Sequence, residues 1–210
     1  MLETVSIKTE LFFNNAISDL KIDNSRIELL KSIAHFIIDE LKTSNNINLN
    51  FICTHNSRRS QLAQVWSNYA VNYFKLKRIK TFSGGTAVTS FYRNTVKTLQ
   101  QVGFKFQISE FSHRNPEYVI EYENCTNPII GFSKYFDDSH NEKPFIAITT
   151  CLNTEKNCPI ISDTIKRFSL PFSDPKIYDN TLNKAEKYLE SNKQIAGEIH
   201  YIFKIIKQNI

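Results

Sequence analysis

Ile47-Asn48-Leu49-Asn50-Phe51-Ile52-Cys53-Thr54-His55-Asn56-Ser57-Arg58-Arg59-Ser60 is the stretch on which the fold turns. Ile47 to Ile52 alternates apolar and polar residues and reads as a buried strand. Downstream, Gln61 to Tyr69 carries apolar residues at helical spacing. The residues between therefore link the C-terminal end of a strand to the N-terminal end of a helix. Backbone N–H groups point outward unpaired at such a junction and bind oxyanions. Cys53 and Arg59 stand at its two ends with five residues between them. The helix dipole and a neighbouring guanidinium favour the thiolate form of a cysteine placed there. A nucleophile at the base of a site for a tetrahedral oxyanion is the chemistry this pattern predicts. Arg59 would grip two oxygens in a fork. Ser60 could donate a hydrogen bond to the Cys53 sulfur, and Asn56 would brace the loop.

Outward from this loop, Leu2 to Lys42 reads as helical, with Leu29, Leu30, Ile33, Phe36, Ile37 and Leu41 on one face and Asn24 or Ser25 as cap. Lys77 to Phe82 is a second strand running into Ser83-Gly84-Gly85, and Asn94 to Val102 a second helix. Phe106 to Asp138 suggests hairpin strands or irregular chain. Pro144 to Thr150 is a buried strand ending at Cys151, Phe168 to Leu170 a short last strand, and Asn180 onward a long helix. Strands alternating with helices imply an α/β layer fold around a parallel sheet. Ligands in such folds bind beyond the carboxyl ends of the strands, where both Cys53 and Cys151 are predicted.

The chain has 210 residues, 41% of them hydrophobic, and a net charge of +5 without a clustered basic run. That excludes a nucleic-acid footprint and favours small anions. No apolar run approaches the roughly 20 residues of a membrane helix, and no signal peptide is apparent, so a cytoplasmic protein with no membrane partner is expected. Four cysteines in a cytosolic chain point to catalysis or redox work rather than a disulfide framework. Cys151 and Cys158 are separated by six residues and followed by Pro159. This spacing is unlike a zinc knuckle and no second ligand pair sits nearby, so neither a metal nor another cofactor is expected.

The loop resembles that of the low-molecular-weight protein tyrosine phosphatases and of the arsenate reductases sharing their fold. Those families carry Cys-x-x-Asn-x-x-Arg-Ser, and Cys53, Asn56, Arg59 and Ser60 fill every fixed position. Ser83-Gly84-Gly85-Thr86-Ala87 is similar to their Ser-Ala-Gly-Thr-x-Ala segment. The resemblance implies a three-layer α/β sandwich over residues 47–210 with a central parallel four-stranded sheet, preceded by a helical extension over 1–46. It implies that Thr54, His55, Asn56, Ser57, Arg58 and Arg59 bind the anion. It makes Asp174, in Phe172-Ser173-Asp174-Pro175, the general acid. Cys151, Cys158 and Pro159 match the further cysteine pair of the thioredoxin-coupled arsenate reductases. A relay Cys53–Cys151–Cys158 is thereby implied, with arsenate as substrate and thioredoxin or another dithiol protein as reductant. The alternative is hydrolysis of a phosphate ester through a Cys53 phosphocysteine, which needs neither Cys151 nor Cys158. A non-enzymatic anion-binding domain is disfavoured by the complete catalytic set.

Three positions depart from the families' pattern. Arg58 stands where they place a second cysteine; it either adds positive potential at the mouth or is a solvated side chain. Gln64 replaces an acidic residue that helps bind potassium, and His55 replaces a common glycine. Residues from about Phe111 to Lys143, including Cys125, form an insertion. Phe91, Tyr92, Phe111, Tyr118, Phe132 and Tyr135 could wall the pocket, although core packing suits most of them better.

Overall fold

The computed structural model describes residues 6–151 and 161–210. A central sheet holds β1 (Ile47–Cys53), β2 (Ile79–Gly85), β6 (Phe145–Thr149) and β7 (Thr164–Ser169) in the order β2-β1-β6-β7. All three pairings are parallel, as the alternation of strands and helices implied. β1 is buried at every position, although Asn48 and Asn50 interrupt its apolar run. Their side-chain amides donate to the Pro144 and Phe136 carbonyls, 3.0 and 2.8 Å away. From β1 the chain moves through α3 (Arg59–Tyr73) to β2 on one side and later crosses to β6 on the other. The direction of winding thus reverses at the C-terminal end of β1, where an open parallel sheet leaves a crevice.

The chain from 105 to 131 is a separate antiparallel sheet of β3 (Lys105–Glu110), β4 (Glu117–Glu121) and β5 (Ile129–Gly131). After it, residues 133–136 return to the end of β2: Gly85 N–H donates to the Lys134 carbonyl at 2.8 Å, and Phe136 N–H donates to the Gly85 carbonyl at 3.0 Å. A β-carbon on Gly85 would lie 2.6 Å from the Ala87 carbonyl oxygen and 2.9 Å from the Asn56 nitrogen. That crowding explains the glycine beside the loop.

The helical N-terminal stretch is two helices, α1 (Ser6–Ser18) and α2 (Asn24–Thr43). The cap of α2 is Asp23, not the expected Asn24 or Ser25: its carboxylate accepts from Arg26 N–H at 2.7 Å and from the Ser25 hydroxyl at 2.6 Å. An ionised carboxylate facing the helix N-terminus suits both the free amides and the dipole better than a neutral side chain. α2 buries Leu30, Ile33, Ala34, Ile37, Ile38 and Leu41. With α1 these residues share one apolar core with α3 and the last helix, α5 (Lys184–Gln208). α1 lies close on α5, where a β-carbon on Gly197 would meet the Ala16 carbonyl oxygen at 2.5 Å. Phe13 of α1 is fully buried and stacks on Trp66 at 5.4 Å. Cys125, expected to be a buried apolar side chain, is partly buried against this core. No helix among the described residues is long and apolar enough to cross a membrane.

Phe13→Ala should lower stability by about 3–5 kcal/mol in urea denaturation; a change near zero would show that α1 is not part of the core. His200, packed 4.6 Å from the Phe13 ring, has its pKa pushed down to about 4 by burial. The unfolded chain takes up this proton near pH 6.5 while the folded one resists. The stabilising contribution is therefore complete above that pH and lost as pH falls toward 4. Replacing His200 by Phe should flatten that part of the stability curve relative to the parent protein.

Candidate active site

Cys53 is the last residue of β1, and Arg59 the first of α3. The five carbonyls from Cys53 to Ser57 are each held from outside the loop. Cys53 O accepts from Thr86 N–H (3.2 Å), Thr54 O from Ala87 N–H (2.8 Å) and Ser57 O from Tyr92 N–H (3.0 Å). His55 O accepts from the Ser133 hydroxyl (2.8 Å) and Asn56 O from the Gln61 amide (3.0 Å). In a trans peptide the N–H points opposite to the C=O. Carbonyls pinned outward therefore turn the following N–H groups inward, toward the concave side of the loop. Asn56 N–H follows this rule and donates to Cys53 Sγ at 3.1 Å. α3 has no side-chain cap, so its first-turn amides add to the same cradle.

Asn56 is fully buried and holds the left-handed corner of the loop at φ 45°, a conformation asparagine tolerates better than most residues. Its side-chain oxygen accepts from Lys134 N–H (3.0 Å) and the Gln61 amide (3.1 Å), and its NH2 donates to Ser60 Oγ (2.9 Å). Ser60 Oγ lies 3.0 Å from Cys53 Sγ. A thiolate has no proton to give, so Ser60 is the donor once the sulfur is ionised. Ser57 is tied to the Ser90 carbonyl at 2.6 Å.

Cys53, Thr54, His55, Ser57, Arg58, Arg59, Cys151 and Asp174 line one open cavity of about 410 Å³, together with Phe172, Ser173 and Lys176. Arg59 donates to the Asp174 carboxylate at 2.7 Å and to the Phe172 carbonyl at 3.0 Å. Its Nε is buried and has no hydrogen-bond partner, an unspent donor beside the nucleophile. Asp174 also caps the short 3₁₀ helix Pro175–Tyr178, accepting from Lys176 N–H at 3.0 Å. Thr54 Oγ1 lies 3.7 Å from Cys151 Sγ, which places that sulfur at the same cavity. Cys158 lies outside the described residues.

Arg58 is not a solvated side chain: only 13% exposed, it pairs with Asp179. His55 is exposed at the rim. Gln64 accepts from Ser83 Oγ at 2.5 Å and joins α3 to β2. None of the six aromatic residues proposed as pocket walls lines the cavity; Phe172 does. Arg26 of α2 lies 5.0 Å over the Phe172 ring and donates to the Pro171 carbonyl at 2.9 Å. Gln61, Ser133 and Lys134 were not singled out from sequence, because nothing in their periodicity marks a loop brace.

No family model matches the chain. Among curated proteins, arsenate reductase 2 of Staphylococcus epidermidis is 26% identical over 125 residues, spanning 60% of this chain and 76% of that protein. The arsenate reductase of Bacillus subtilis is 26% identical over 60% of this chain and 71% of its own length. Among solved structures, a low-molecular-weight protein tyrosine phosphatase from T. tengcongensis matches at a TM-score of 0.51 and 16% identity, covering 76% of this chain and 99% of that one. The chain thus has the low-molecular-weight phosphatase fold, as its loop motif implied.

With Arg59 held by Asp174, an incoming anion must displace a carboxylate. Asp174→Asn should therefore bind inorganic phosphate roughly fivefold more tightly in calorimetry, the equivalent of about 1 kcal/mol for a part-exposed ion pair. Unchanged or weaker binding would show that the pair does not oppose the anion.

Proposed function

We propose that this chain is a cysteine-dependent arsenate reductase working through a three-thiol relay on the low-molecular-weight phosphatase fold. The observation that carries the reading is the Cys53 sulfur under inward-turned amides, with Arg59 and Cys151 at the same cavity. The arsenate reductases among its relatives support the substrate.

Arsenate enters the cradle and takes over the Arg59 fork. The Cys53 thiolate attacks arsenic, and Asp174 protonates the departing oxygen, which leaves as water. The amides stabilise the charge on the remaining oxygens. The Cys151 thiolate then attacks the Cys53 sulfur. The sulfur–arsenic bond breaks, its electron pair stays on arsenic, and arsenite leaves as the Cys53–Cys151 disulfide forms. Cys158 attacks Cys151 and releases Cys53, giving a Cys151–Cys158 disulfide that thioredoxin or another dithiol protein reduces. The balance is two thiols oxidised and one arsenic reduced by two electrons.

Phosphate-ester hydrolysis is the second reading. It is favoured by one fact: Cys53, Arg59 and Asp174 already form a set that needs no further thiol. Arsenate and phosphate are nearly isosteric, so some ester hydrolysis accompanies either reading.

Arsenite production with thioredoxin and its reductase separates them. Cys151→Ser and Cys158→Ser should each abolish multiple turnover while hydrolysis of para-nitrophenyl phosphate continues. Undiminished arsenate turnover in both variants would remove the relay.

A further inference from the structure

The acid segment is weakly held by packing. Of the 3₁₀ helix Pro175–Tyr178 only Pro175 is buried, and Ile177 is 71% exposed. Its two ends are instead held by adjacent arginines of the nucleophile loop: Arg59 pairs with Asp174 before the helix, and Arg58 pairs at 2.9 Å with Asp179 after it. The first of these ties opposes substrate, because an anion over Cys53 competes for Arg59. The second is turned away from that competition.

The second tie is also the better built. Arg58 Nε donates to the Tyr188 oxygen at 2.8 Å, and the Tyr188 hydroxyl donates to Asp179 Oδ1 at 2.7 Å, which closes a three-residue ring. The guanidinium lies 4.0 Å over the Tyr92 ring, and Tyr92 N–H holds the Ser57 carbonyl. Tyr92 immediately precedes α4 (Arg93–Gln101) and Tyr188 belongs to α5. One side chain thus joins the loop, α4, α5 and the acid segment. The Arg58 and Asp179 side chains are 13% and 16% exposed, so solvent screens this pair far less than a surface ion pair. Burial works against the charge on Arg58, but Tyr188, Asp179 and Asp174 outweigh it and hold the proton more firmly.

We infer that Arg58, Asp179 and Tyr188 form a positioning unit that keeps the Asp174 segment in register over Cys53 once substrate has drawn Arg59 away. The inference rests on the reading of Asp174 as general acid. Arg58 touches the cavity, but its donors face protein groups, so it acts through Asp174 and not on the substrate. Lysine would keep the charge and lose the fork that reaches Tyr188 and Asp179 together.

The test is kcat/KM over a series of aryl phosphates, from activated nitrophenyl esters to phenyl phosphate. A misplaced acid hurts substrates whose leaving group needs the proton. Arg58→Lys and Asp179→Ala should lose roughly 10–100-fold on phenyl phosphate and only a few-fold on the dinitrophenyl ester, part of the range general-acid catalysis supplies. Neither change should add to that of Asp174→Asn, since groups acting as a unit are not additive. An equal loss across the series, in variants with parental urea midpoints, would overturn the positioning role. If Asp174→Asn itself shows no leaving-group dependence, the acid assignment falls first and takes this inference with it. Amide hydrogen exchange supplies a readout independent of turnover. Ile177 and Asp179 N–H, which bond back to Asp174 and Lys176, should exchange at least tenfold faster in Asp179→Ala while α3 stays protected. Unchanged exchange there would contradict the inference.

Discussion

The pinning of five successive carbonyls outside the Cys53–Ser57 loop is the constraint from which the rest of the site follows. No residue of the loop needs to aim an amide at the anion by its own preference. The body of the protein takes hold of the oxygens, and peptide planarity turns the N–H groups inward. The partners come from the turn after β2, from Ser133, from Gln61 and from Tyr92. These donors are distant in sequence, so the cradle exists only in the folded chain. Asn56 is the corner that lets the loop bend so tightly, and it spends every polar group of its side chain on holding that bend. Such preorganisation is what electrostatic stabilisation of a transition state requires: the dipoles are aligned before charge develops.

The sheet supplies the place. β1 lies between β2 and β6, and the chain reverses direction at its end, so Cys53 and Cys151 both emerge at one crevice. The N-terminal helices contribute at a distance. Arg26 of α2 lies 2.8 Å from the fully buried Glu198 and also holds the Pro171 carbonyl beside Phe172. Support for the approach to Asp174 thus begins in residues that precede the first strand. The open site itself holds opposed charges in balance. Arg59 is occupied by Asp174 and the Phe172 carbonyl, and substrate must exchange one anion for another.

Much of this was legible from sequence because it is local. The alternation of Ile47–Ile52, the helical spacing after Ser60 and the Cys-x-x-Asn-x-x-Arg-Ser spacing identified strand, loop and helix together, and β1 and α3 stand where they were expected. The Asp174–Arg59 contact could be anticipated only by resemblance, since 115 positions separate the two residues. What escaped reading is long-range. The insertion looked like irregular chain; its return through Ser133 and Lys134 braces Asn56 across 78 positions. Arg58 offered two readings, and its ring with Asp179 and Tyr188 matches neither, because no periodicity links those positions. The cap of α2 was missed by one residue in an Asp-Asn-Ser run where each residue type caps well.

The reactivity of Cys53 is the most direct measure of whether a sulfur sits ionised under those amides. The reduced protein would be treated with limiting iodoacetate at mildly acidic pH, and the labelled cysteines mapped by mass spectrometry, with and without arsenate or phosphate. Cys53 should be alkylated well before Cys125, and either oxyanion should slow its labelling while leaving Cys125 unaffected. Labelling of Cys53 no faster than that of Cys125, and indifferent to both oxyanions, would contradict the cradle and every step built on it.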